Sequence, residues 1–322
     1  MKKITVLGGG TGTYVVLTGL KKYPLDLGVI VTMMDSGGST GRLRDQLGVL
    51  PPGDLRQCLV ALSEAPLLWR KLFLYRFERG DFKGHNFGNI FLSALEKVSS
   101  NYEEVLDTVN YVLKTKGQII PVTFSQTQLC VKYESGKVIK GEGKIDQNNP
   151  EKTKIINAYL EPKVKVNQKA IERIINSDYI VIGPGDLYTS VIPILLVSDI
   201  RKALKKTKAK LIFIINLMTK SGQTNDYKVS DHFFDINKYL GRKVDLLVIN
   251  NGKIDQDVIN WYKEYNEKPV IDDMKENSSY TIVYDDLIDR RKIVLDKSEK
   301  IKRSILRHDS DKLAKVLVKL II

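Results

Sequence analysis

A glycine cluster near the amino terminus has the composition of a phosphate-binding loop. Residues 3–7 predict a strand, the amphipathic residues after 12 predict a helix, and between them stand Gly8, Gly9, Gly10, Thr11 and Gly12. Glycine lets the backbone approach a ligand closely, and the first N–H groups of a helix attract anions. The order of strand, glycine loop and helix therefore predicts a nucleotide-like ligand.

The glycine spacing matches the dinucleotide-binding fingerprint only in part, because that fingerprint requires a glycine where Thr13 stands. A second predicted strand, residues 27–32, leads to Asp35, at the distance from the loop where an acid binds ribose hydroxyls. The alternative is an ordinary strand-to-helix turn with a surface acid. No glycine cluster is followed by the lysine and hydroxyl residue of a Walker loop, which argues against ATP hydrolysis by that route.

A second polar loop, residues 35–44, offers more groups that bind phosphate. Its candidate contacts are Ser36, Gly37, Gly38, Ser39, Thr40, Arg42 and Arg44. Backbone and hydroxyl groups donate hydrogen bonds to phosphate, and arginine adds bidentate contacts. The alternative is a flexible surface loop whose arginines pair with nearby acids.

Asp35 and Asp54 are candidate ligands for a cation. Mg²⁺ needs only one or two protein carboxylates when phosphates supply the other oxygen ligands. Aspartates also commonly cap helices, and Asp54 precedes a predicted helix that begins at Leu55, so capping is the alternative for this residue.

Three later segments add polar groups. Residues 84–89 form a polar turn whose His85 and Asn86 either cap the next helix or face a ligand. The candidate contacts after later strands are Gly183, Pro184, Gly185, Asp186, Thr189, Ser190, Asn216 and Lys220. His232 stands beside two phenylalanines, which favours a packing role. No spacing supports a Ser-His-Asp triad or a zinc site.

The elements that hold these loops alternate between strand and helix. Predicted strands cover residues 179–182, 211–215 and 244–249, and predicted helices cover residues 168–175, 190–205 and 231–240. Such alternation predicts an α/β fold, a Rossmann-like doubly wound and mostly parallel sheet. Because ligands bind at the carboxyl ends of such strands, we expect the polar loops to share one pocket.

The chain is predicted to form one nucleotide-binding domain over residues 1–322. Residues 36–53 are predicted to be a long connection, and residues 119–160 switch to short alternating strands that predict an inserted β-hairpin region. Residues 273–322 are predicted to form a C-terminal helical extension that completes the site.

Composition excludes several classes of protein. The formal charge is +13, but lysines and arginines are interleaved with acids and no nucleic-acid-binding motif is present, so no specific nucleic-acid partner is expected. The apolar runs are too short to span a membrane, and the chain begins with a strand rather than a signal region, which predicts a cytoplasmic protein. Cys58 and Cys130 lie in apolar stretches and are predicted to be reduced core thiols without a catalytic role.

Taken together, five segments closely resemble the bacterial gluconeogenesis-factor family, which is related to the 2-phospho-L-lactate transferases. They are residues 8–12, 35–44, 51–56, 84–89 and 183–190, and residues 216–219 and 307–309 also fit. The resemblance therefore covers nearly the whole chain.

The resemblance implies a Rossmann-like core that binds a nucleotide sugar such as UDP-N-acetylglucosamine. It implies a cytoplasmic regulator that links central carbon metabolism and gluconeogenic growth to the synthesis of cell-envelope precursors and to cell shape. A protein partner implied in the same way is glutamine-fructose-6-phosphate aminotransferase. Tyr265 and Arg307 resemble the contacts to the nucleotide sugar, with Tyr262 as the alternative tyrosine. The oligomeric state stays open, a homo-oligomer included.

The related transferases suggest a second function, transfer of a phospho-organic acid group from a nucleotide-activated donor. These enzymes have paired aspartates where this chain has Asp35 and Ser36, which weakens metal-assisted transfer. We therefore expect binding and regulation rather than turnover, with no obligatory cofactor. NAD is kept as an alternative ligand of the pocket.

Overall fold

The computed structural model describes residues 1–146, 151–275, 279–291 and 305–322. A sheet of seven parallel strands lies at its centre: β1 (Lys3–Gly8), β2 (Asp26–Val31), β3 (Gln118–Pro121), β7 (Tyr179–Ile182), β8 (Lys210–Ile214), β9 (Leu246–Asn250) and β10 (Thr281–Asp285). The strands lie in the order β10-β9-β8-β7-β1-β2-β3. Strand β1 therefore lies inside the sheet, with β2 and β3 on one side of it and β7 to β10 on the other. The predicted doubly wound parallel sheet is confirmed.

Helices cover both faces of this sheet. They are α1 (Gly10–Leu20), α2 (Gly38–Leu47), α3 (Pro52–Leu62), α4 (Leu67–Leu74), α5 (Phe87–Val98), α6 (Tyr102–Leu113), α7 (Glu142–Asp146), α8 (Gln168–Ile175), α9 (Ile192–Leu196), α10 (Ile200–Lys206), α11 (Val229–Leu240), α12 (Gln256–Lys263) and α13 (Ser310–Ile321), with a π-helical turn at Leu187–Val191. One face carries α1, α3 to α6 and α13, and the other carries α8 to α11.

The strands are apolar on both sides because both sides are covered. In β1, Val6 packs into the core on the α1 face, whereas Leu7 packs into the core on the α8 face. In β7, Val181 packs into the core on the α1 face and Ile182 into the core on the α8 face. Side chains alternate along a strand, so a parallel sheet between two helical layers needs nearly continuous apolar runs, as this sequence has.

A small antiparallel sheet stands beside the main one. It consists of β4 (Gln128–Tyr133), β5 (Val138–Lys140) and β6 (Ile155–Glu161), in the order β5-β4-β6, and α7 follows β5. The predicted hairpin is thus the pair β4 and β5, and β6 adds a third strand. The first residues of the predicted 119–160 region lie instead in β3 of the main sheet, and residues 147–150 lie outside the described residues.

Two element predictions were wrong. Residues 36–53 are not an open connection, because α2 forms there with Leu43 and Thr40 buried, and Gly48 ends it in a left-handed conformation (φ 64°). Residues 190–205 are not one helix. The chain is extended at Val197 and left-handed at Asp199 (φ 68°), which separates α9 from α10. In both places the buried contacts override the local composition.

The C-terminal segment returns to the start of the fold. Strand β10 completes the main sheet, and α13 packs against α1. Contact between these two helices depends on Gly19, because a Cβ atom there would lie 2.1 Å from the carbonyl oxygen of Ser310. Within the predicted 273–322 extension, residues 276–278 and 292–304 lie outside the described residues.

Three further sequence predictions concern the core and the surface. Cys58 and Cys130 are buried, free thiols. His232 is buried against the Tyr227 ring and pairs with the Lys228 carbonyl through Nδ1, consistent with a packing role. Across the described ranges, no helix has the length and apolar character to cross a membrane.

Candidate functional site

The carboxyl ends of the central strands open into one cleft of about 900 Å³. Its walls include the loops after β1, β2, β7 and β8 and residues of α1, α2, α3, α5 and α7. Residues of α12, of the segment after α12 and of the segment before α13 complete them. The predicted site residues that line it are Gly9, Gly10, Thr11, Gly12, Asp35, Gly37, Ser39, Thr40, Asp54, Pro184, Gly185, Asp186, Ser190, Asn216, Lys220, Tyr265 and Arg307. The structure thus gathers loops that are up to about 300 residues apart in sequence.

The glycine loop begins α1 directly at the cleft. Gly9 precedes the helix and Gly10, its first residue, has a left-handed backbone (φ 67°). A Cβ atom on Gly9 would lie 2.3 Å from the carboxylate of Asp54, and one on Gly12 would lie 2.1 Å from the carbonyl oxygen of Pro184. Glycine is therefore required here for close packing of three loops as well as for exposing the helix N-terminus to an anion.

The residue that departs from the dinucleotide fingerprint has a structural role. Thr13 is buried in α1, and its hydroxyl donates to the carbonyl of Gly9 at 3.1 Å. Gly8, the last residue of β1, lies behind the cleft, where a Cβ atom would meet the Thr13 hydroxyl at 2.3 Å. Threonine at position 13 thus holds the turn of the glycine loop.

Asp35 and Asp54 both face the cleft. Asp35 accepts a hydrogen bond from the Gly37 N–H at 2.9 Å. Burial, followed by the neighbouring charge of Asp35, raises the pKa of Asp54 to about 8, and burial also raises the pKa of Asp35. Helix capping by Asp54 was a wrong prediction: α3 begins at Pro52, Pro51 is its N-cap, and Asp54 lies in the first turn.

The donor set near these two carboxylates consists of oxygen atoms, the kind that Mg²⁺ prefers. Ser39 and Thr40 add hydroxyls to the same wall of the cleft. Over the described part of the chain, no three acidic, histidine or cysteine side chains are grouped closely enough to hold a metal ion alone. A bound Mg²⁺ would therefore need ligand phosphates to complete its shell, and Asp35 and Asp54 stay predicted ligands.

The arginines predicted from residues 35–44 lie outside the cleft. Arg42 donates to the carbonyl of Lys83 at 3.3 Å, and Arg44 pairs with Asp45 at 2.8 Å beside a separate, smaller cavity. Both belong to α2 and lie one turn further along that helix than Ser39 and Thr40, which do line the cleft. Gly38 is the first residue of the same helix and also lies off the cleft wall.

Arg56 is a cleft cation that the sequence prediction missed. This α3 residue is buried, and its Nε donates to the Asn89 side-chain oxygen at 2.7 Å. Its Nη1 also donates to the carbonyl of Phe73 at 3.4 Å. The sequence signal was the segment 51–56, which carried the family resemblance but was not assigned a contact. A guanidinium fixed by its neighbours is well suited to bind an anion.

Residues 84–89 support the cleft, and Asn89 at the end of this segment also lines it. The Asn89 amide donates to the hydroxyls of Ser39 and Thr40 at 3.3 and 3.4 Å, and Ser39 also contacts His85 Nδ1 at 3.2 Å. Burial, followed by the charges of Arg42 and Arg76, lowers the pKa of His85, which favours the neutral ring. Asn86 caps α5 by accepting from the Asn89 N–H. Of the two alternatives for this turn, helix capping is the one seen for Asn86.

The opposite wall is built on the loop after β7. Gly185 exchanges two hydrogen bonds with the Asn216 side chain, at 3.1 and 2.8 Å, which fixes the loop against the end of β8. Gly183 and Thr189 lie behind this wall, and the Thr189 hydroxyl pairs with Gln223. The wall therefore presents Pro184 and neighbouring backbone to the glycine loop.

Lys220 lies in a cluster of carboxylates on the same wall. Its Nζ is 3.3 Å from Asp146, 3.9 Å from Glu267 and 4.0 Å from Asp186. Burial lowers the pKa of Lys220, but the three carboxylates outweigh burial and hold it above its ordinary value. Burial raises the pKa of Asp186 to about 7 although Lys220 opposes that rise. Lys220 is therefore a protonated ammonium in the cleft.

Helix α7 brings two carboxylates that the sequence prediction missed. Glu142 accepts from the Ser36 N–H at 3.1 Å, and the Ser36 hydroxyl accepts from the Gly143 N–H at 2.8 Å. Asp146 is the partner of Lys220 described above. Burial, followed by the charge of Asp35, raises the pKa of Glu142 well above its ordinary value. Ser36 thus attaches the inserted region to the cleft rather than lining the cleft itself.

Aromatic side chains form the far end of the cleft. The Trp261 and Tyr265 rings lie 4.8 Å apart between their centres, and both residues are half-buried. Tyr262 is buried, and its hydroxyl accepts from the Leu306 N–H at 3.1 Å. That contact orders the segment that carries Arg307 and His308 to the cleft. Of the two tyrosines left open by the sequence, Tyr265 is the more exposed.

The fold and cleft together define an α/β protein of the Rossmann-like type with its glycine loop at the carboxyl edge of a parallel sheet. The sequence profile of 2-phospho-L-lactate transferase CofD matches residues 4–288. The chain is also 39% identical to a putative gluconeogenesis factor of Aquifex aeolicus, over 100% of this chain and 98% of that one. It therefore belongs to the gluconeogenesis-factor family, within the wider CofD family.

Further relatives agree over the whole length. The gluconeogenesis factor of Bacillus subtilis is 34% identical, over 99% of this chain and 98% of that one. A crystal structure of a Bacillus halodurans protein, 35% identical, superposes with a TM-score of 0.89 over 98% of this chain and 99% of that chain. The resemblance inferred from the loop motifs is confirmed at the level of family and fold.

Proposed function

We propose that the cleft binds a nucleotide sugar of the UDP-N-acetylglucosamine type and that this protein is a cytoplasmic regulator. In this role it links central carbon metabolism and gluconeogenic growth to the synthesis of cell-envelope precursors and to cell shape. The observation that carries the proposal is that the glycine loop lines the same cleft as Tyr265 and Arg307. A nucleotide sugar carries a diphosphate, a base and a sugar, and the cleft offers separate groups suited to each.

Three regions of the cleft support this assignment. The N-terminus of α1 and Arg56 attract phosphate. The ring pair of Trp261 and Tyr265 offers a flat apolar surface for a base. The ammonium of Lys220 and its carboxylate neighbours can exchange hydrogen bonds with sugar hydroxyls.

Regulation requires that the empty and occupied states differ in their affinity for another molecule. We propose glutamine-fructose-6-phosphate aminotransferase as that partner. The test is a pull-down of the purified aminotransferase by the purified protein, with and without UDP-N-acetylglucosamine. Equal capture with and without the ligand would contradict a ligand-dependent interaction. Binding of the ligand itself is tested separately by calorimetry.

Isothermal titration calorimetry tests the ligand. We expect heat of binding when UDP-N-acetylglucosamine is titrated into the protein, and weaker binding of UDP. Any other ligand of the cleft should compete with UDP-N-acetylglucosamine for binding. NAD and Mg²⁺ belong in the same series, since both are open predictions. Failure of UDP-N-acetylglucosamine to bind folded protein would refute the proposal, and binding of NAD alone would favour the alternative ligand.

Two arginine variants test the phosphate contacts. Replacing Arg307 or Arg56 with Ala should weaken binding at least about tenfold, because each loses a charge-assisted hydrogen bond of about 1.5–3 kcal/mol. Arg42→Ala is the matched control, since Arg42 lies outside the cleft and donates to the carbonyl of Lys83. A loss for Arg42→Ala as large as that for Arg56→Ala would contradict the placement of Arg42 outside the cleft. Thermal melting of each variant separates lost contacts from lost folding.

A second candidate function is transfer of a phospho-organic acid group, which the CofD profile match favours. Asp35 and Asp54 would hold Mg²⁺ on the reacting phosphates. The test is incubation with a nucleotide-activated phospholactate and a deazaflavin acceptor, followed by mass spectrometry. A mass-shifted product that disappears with Asp54→Asn would establish the enzyme, and its absence with folded, ligand-binding protein would leave regulation as the function.

A further inference from the structure

Helix α4 and the turn after it expose an unusual number of large apolar side chains. Within residues 67–82, the exposed ones are Leu67, Leu68, Trp69, Leu74, Tyr75 and Phe82, which we call the α4 surface. Leu68 is 77% exposed, Leu67 57% and Phe82 55%. Other exposed apolar residues are more scattered along the described chain. Grouped apolar side chains at a protein surface mark a site of interaction.

The α4 surface is held outward by a buried aromatic cluster beneath it. Phe73, on the inner side of α4, is fully buried and its ring lies 5.2 Å from Phe91 and 6.0 Å from Phe87. The Phe73 carbonyl also accepts from Arg56 of the cleft wall. Because the inner side of α4 is already packed, the outer leucines have no core of their own to enter.

Cations accompany these apolar side chains. Lys71 and Arg79 are exposed within residues 67–82, and the exposed Lys83 follows directly. The exposed acids of the segment are Glu78 and Asp81. The whole chain carries a formal charge of +13. A second copy of the chain would bring like charges together, so charge favours an anionic partner over self-association.

We propose that the α4 surface binds the anionic headgroup region of a lipid bilayer as a peripheral contact. Leu67, Leu68 and Leu74 lie at helical spacings on the outer side of α4 with Lys71 among them, and Trp69 lies beside them toward Phe73. Exposed leucines mixed with cations suit the boundary between headgroups and acyl chains. The cations would lie against lipid phosphates. Binding at the interface fits the absence of any described helix long enough to cross a membrane.

Vesicle co-sedimentation tests this proposal independently of any nucleotide. We expect the protein to sediment with vesicles of phosphatidylglycerol and phosphatidylcholine in equal parts, and not with phosphatidylcholine alone. Binding should weaken as NaCl is raised, because screening reduces the contribution of the cations. Trp69 supplies an optical signal: the chain has two tryptophans, so Trp261→Phe leaves Trp69 as the sole reporter. Its emission should shift to shorter wavelength on binding.

Paired variants separate the apolar contribution from the charge. Leu67→Ser with Leu68→Ser should weaken partitioning about tenfold or more, since both side chains are exposed in water and covered on the vesicle. Lys71→Glu should weaken it while leaving the leucines in place. Val98→Ser with Tyr111→Ser is the control, because these side chains are as exposed but lie on α5 and α6. Thermal melting shows whether each variant is folded.

The proposal fails if the wild-type protein ignores phosphatidylglycerol vesicles, or if the leucine variant binds them as well as wild type does. Equal binding to neutral vesicles would remove the role of the cations and overturn it too. Sedimentation equilibrium tests whether a second copy of the chain occupies the α4 surface. A dimer of wild type that the leucine variant lacks would assign the α4 surface to a second copy instead.

Discussion

Asp186 shows how a single residue of the cleft couples charge to stability. Its carboxylate is 4.0 Å from Lys220 Nζ, yet burial raises its pKa to about 7, and the charge of Asp146 adds to the rise. An unfolded aspartate has a pKa of about 3.9. A folded-state pKa above that value means that folding stability is lost as pH rises from about 4 through about 7.

The folding stability of the Asp186→Asn variant relative to wild type should therefore increase as pH rises. Asparagine has no carboxylate to ionise, so we expect the melting temperature of the variant relative to wild type to increase between about pH 4 and pH 7 and to level off above pH 8. Thermal melting at a series of pH values measures the difference. A difference that stays constant, or that shrinks toward pH 8, would mean that burial does not control this carboxylate.

At the scale of elements, the first and last helices depend on each other. Helix α13 lies on α1 at Gly19, where the chain permits no side chain. Leu313 and Leu317 of α13 join the same core as Val16 and Leu17 of α1. The segment before α13 also carries Arg307 to the cleft, so this helix contact bears on the site as well as on stability.

Gly19→Ala should destabilise the protein by about 1–3 kcal/mol, the usual cost of overpacking a tight contact. The added methyl group would lie 2.1 Å from the Ser310 carbonyl oxygen, and backbone on both helices has to move. Thr18→Ala is the matched control on the same helix, because the Thr18 hydroxyl is buried without a hydrogen-bond partner. Urea unfolding compares the two, and an equal effect of both substitutions would contradict the packing argument.

At the scale of the whole molecule, Lys220 joins parts that are distant in sequence. Asp146 comes from α7 beside the inserted small sheet, Asp186 from the loop after β7, and Glu267 from the segment after α12. One ammonium thus balances part of the negative charge of three separate segments. Removing it would leave carboxylates close together with no counter-charge.

Lys220→Met should therefore destabilise the folded protein by about 1–3 kcal/mol and loosen the inserted region, because the carboxylates it leaves unpaired are partly buried. Lys202→Met is the control, because Lys202 pairs with Asp199 at a site where the lysine side chain is 79% exposed. Urea unfolding measures the stability, and hydrogen exchange of α7 measures the loosening. Unchanged exchange in α7 would show that Lys220 does not hold the inserted region in place.

Much of the main sheet could be predicted because its signals are local. Apolar runs such as residues 4–7 and 179–182 alternate with amphipathic segments, and that pattern identifies buried parallel strands. Strand β10 was missed because it is an edge strand with mixed exposure, so its sequence lacks a long apolar run. Helix α2 was missed because its sequence is mostly glycine and polar residues, so the few residues that it buries form no apolar helical pattern.

The sequence by itself determined the fold class, the glycine loop and the edge of the sheet where polar loops gather, since each depends on short-range pattern and on strand direction. Only the tertiary structure decided which charges face the cleft. Arg56 and the carboxylates of α7 line it, whereas Arg42 and Arg44 do not. The direction of a side chain depends on the helix that carries it and on what packs behind it, and those contacts join residues far apart in the chain.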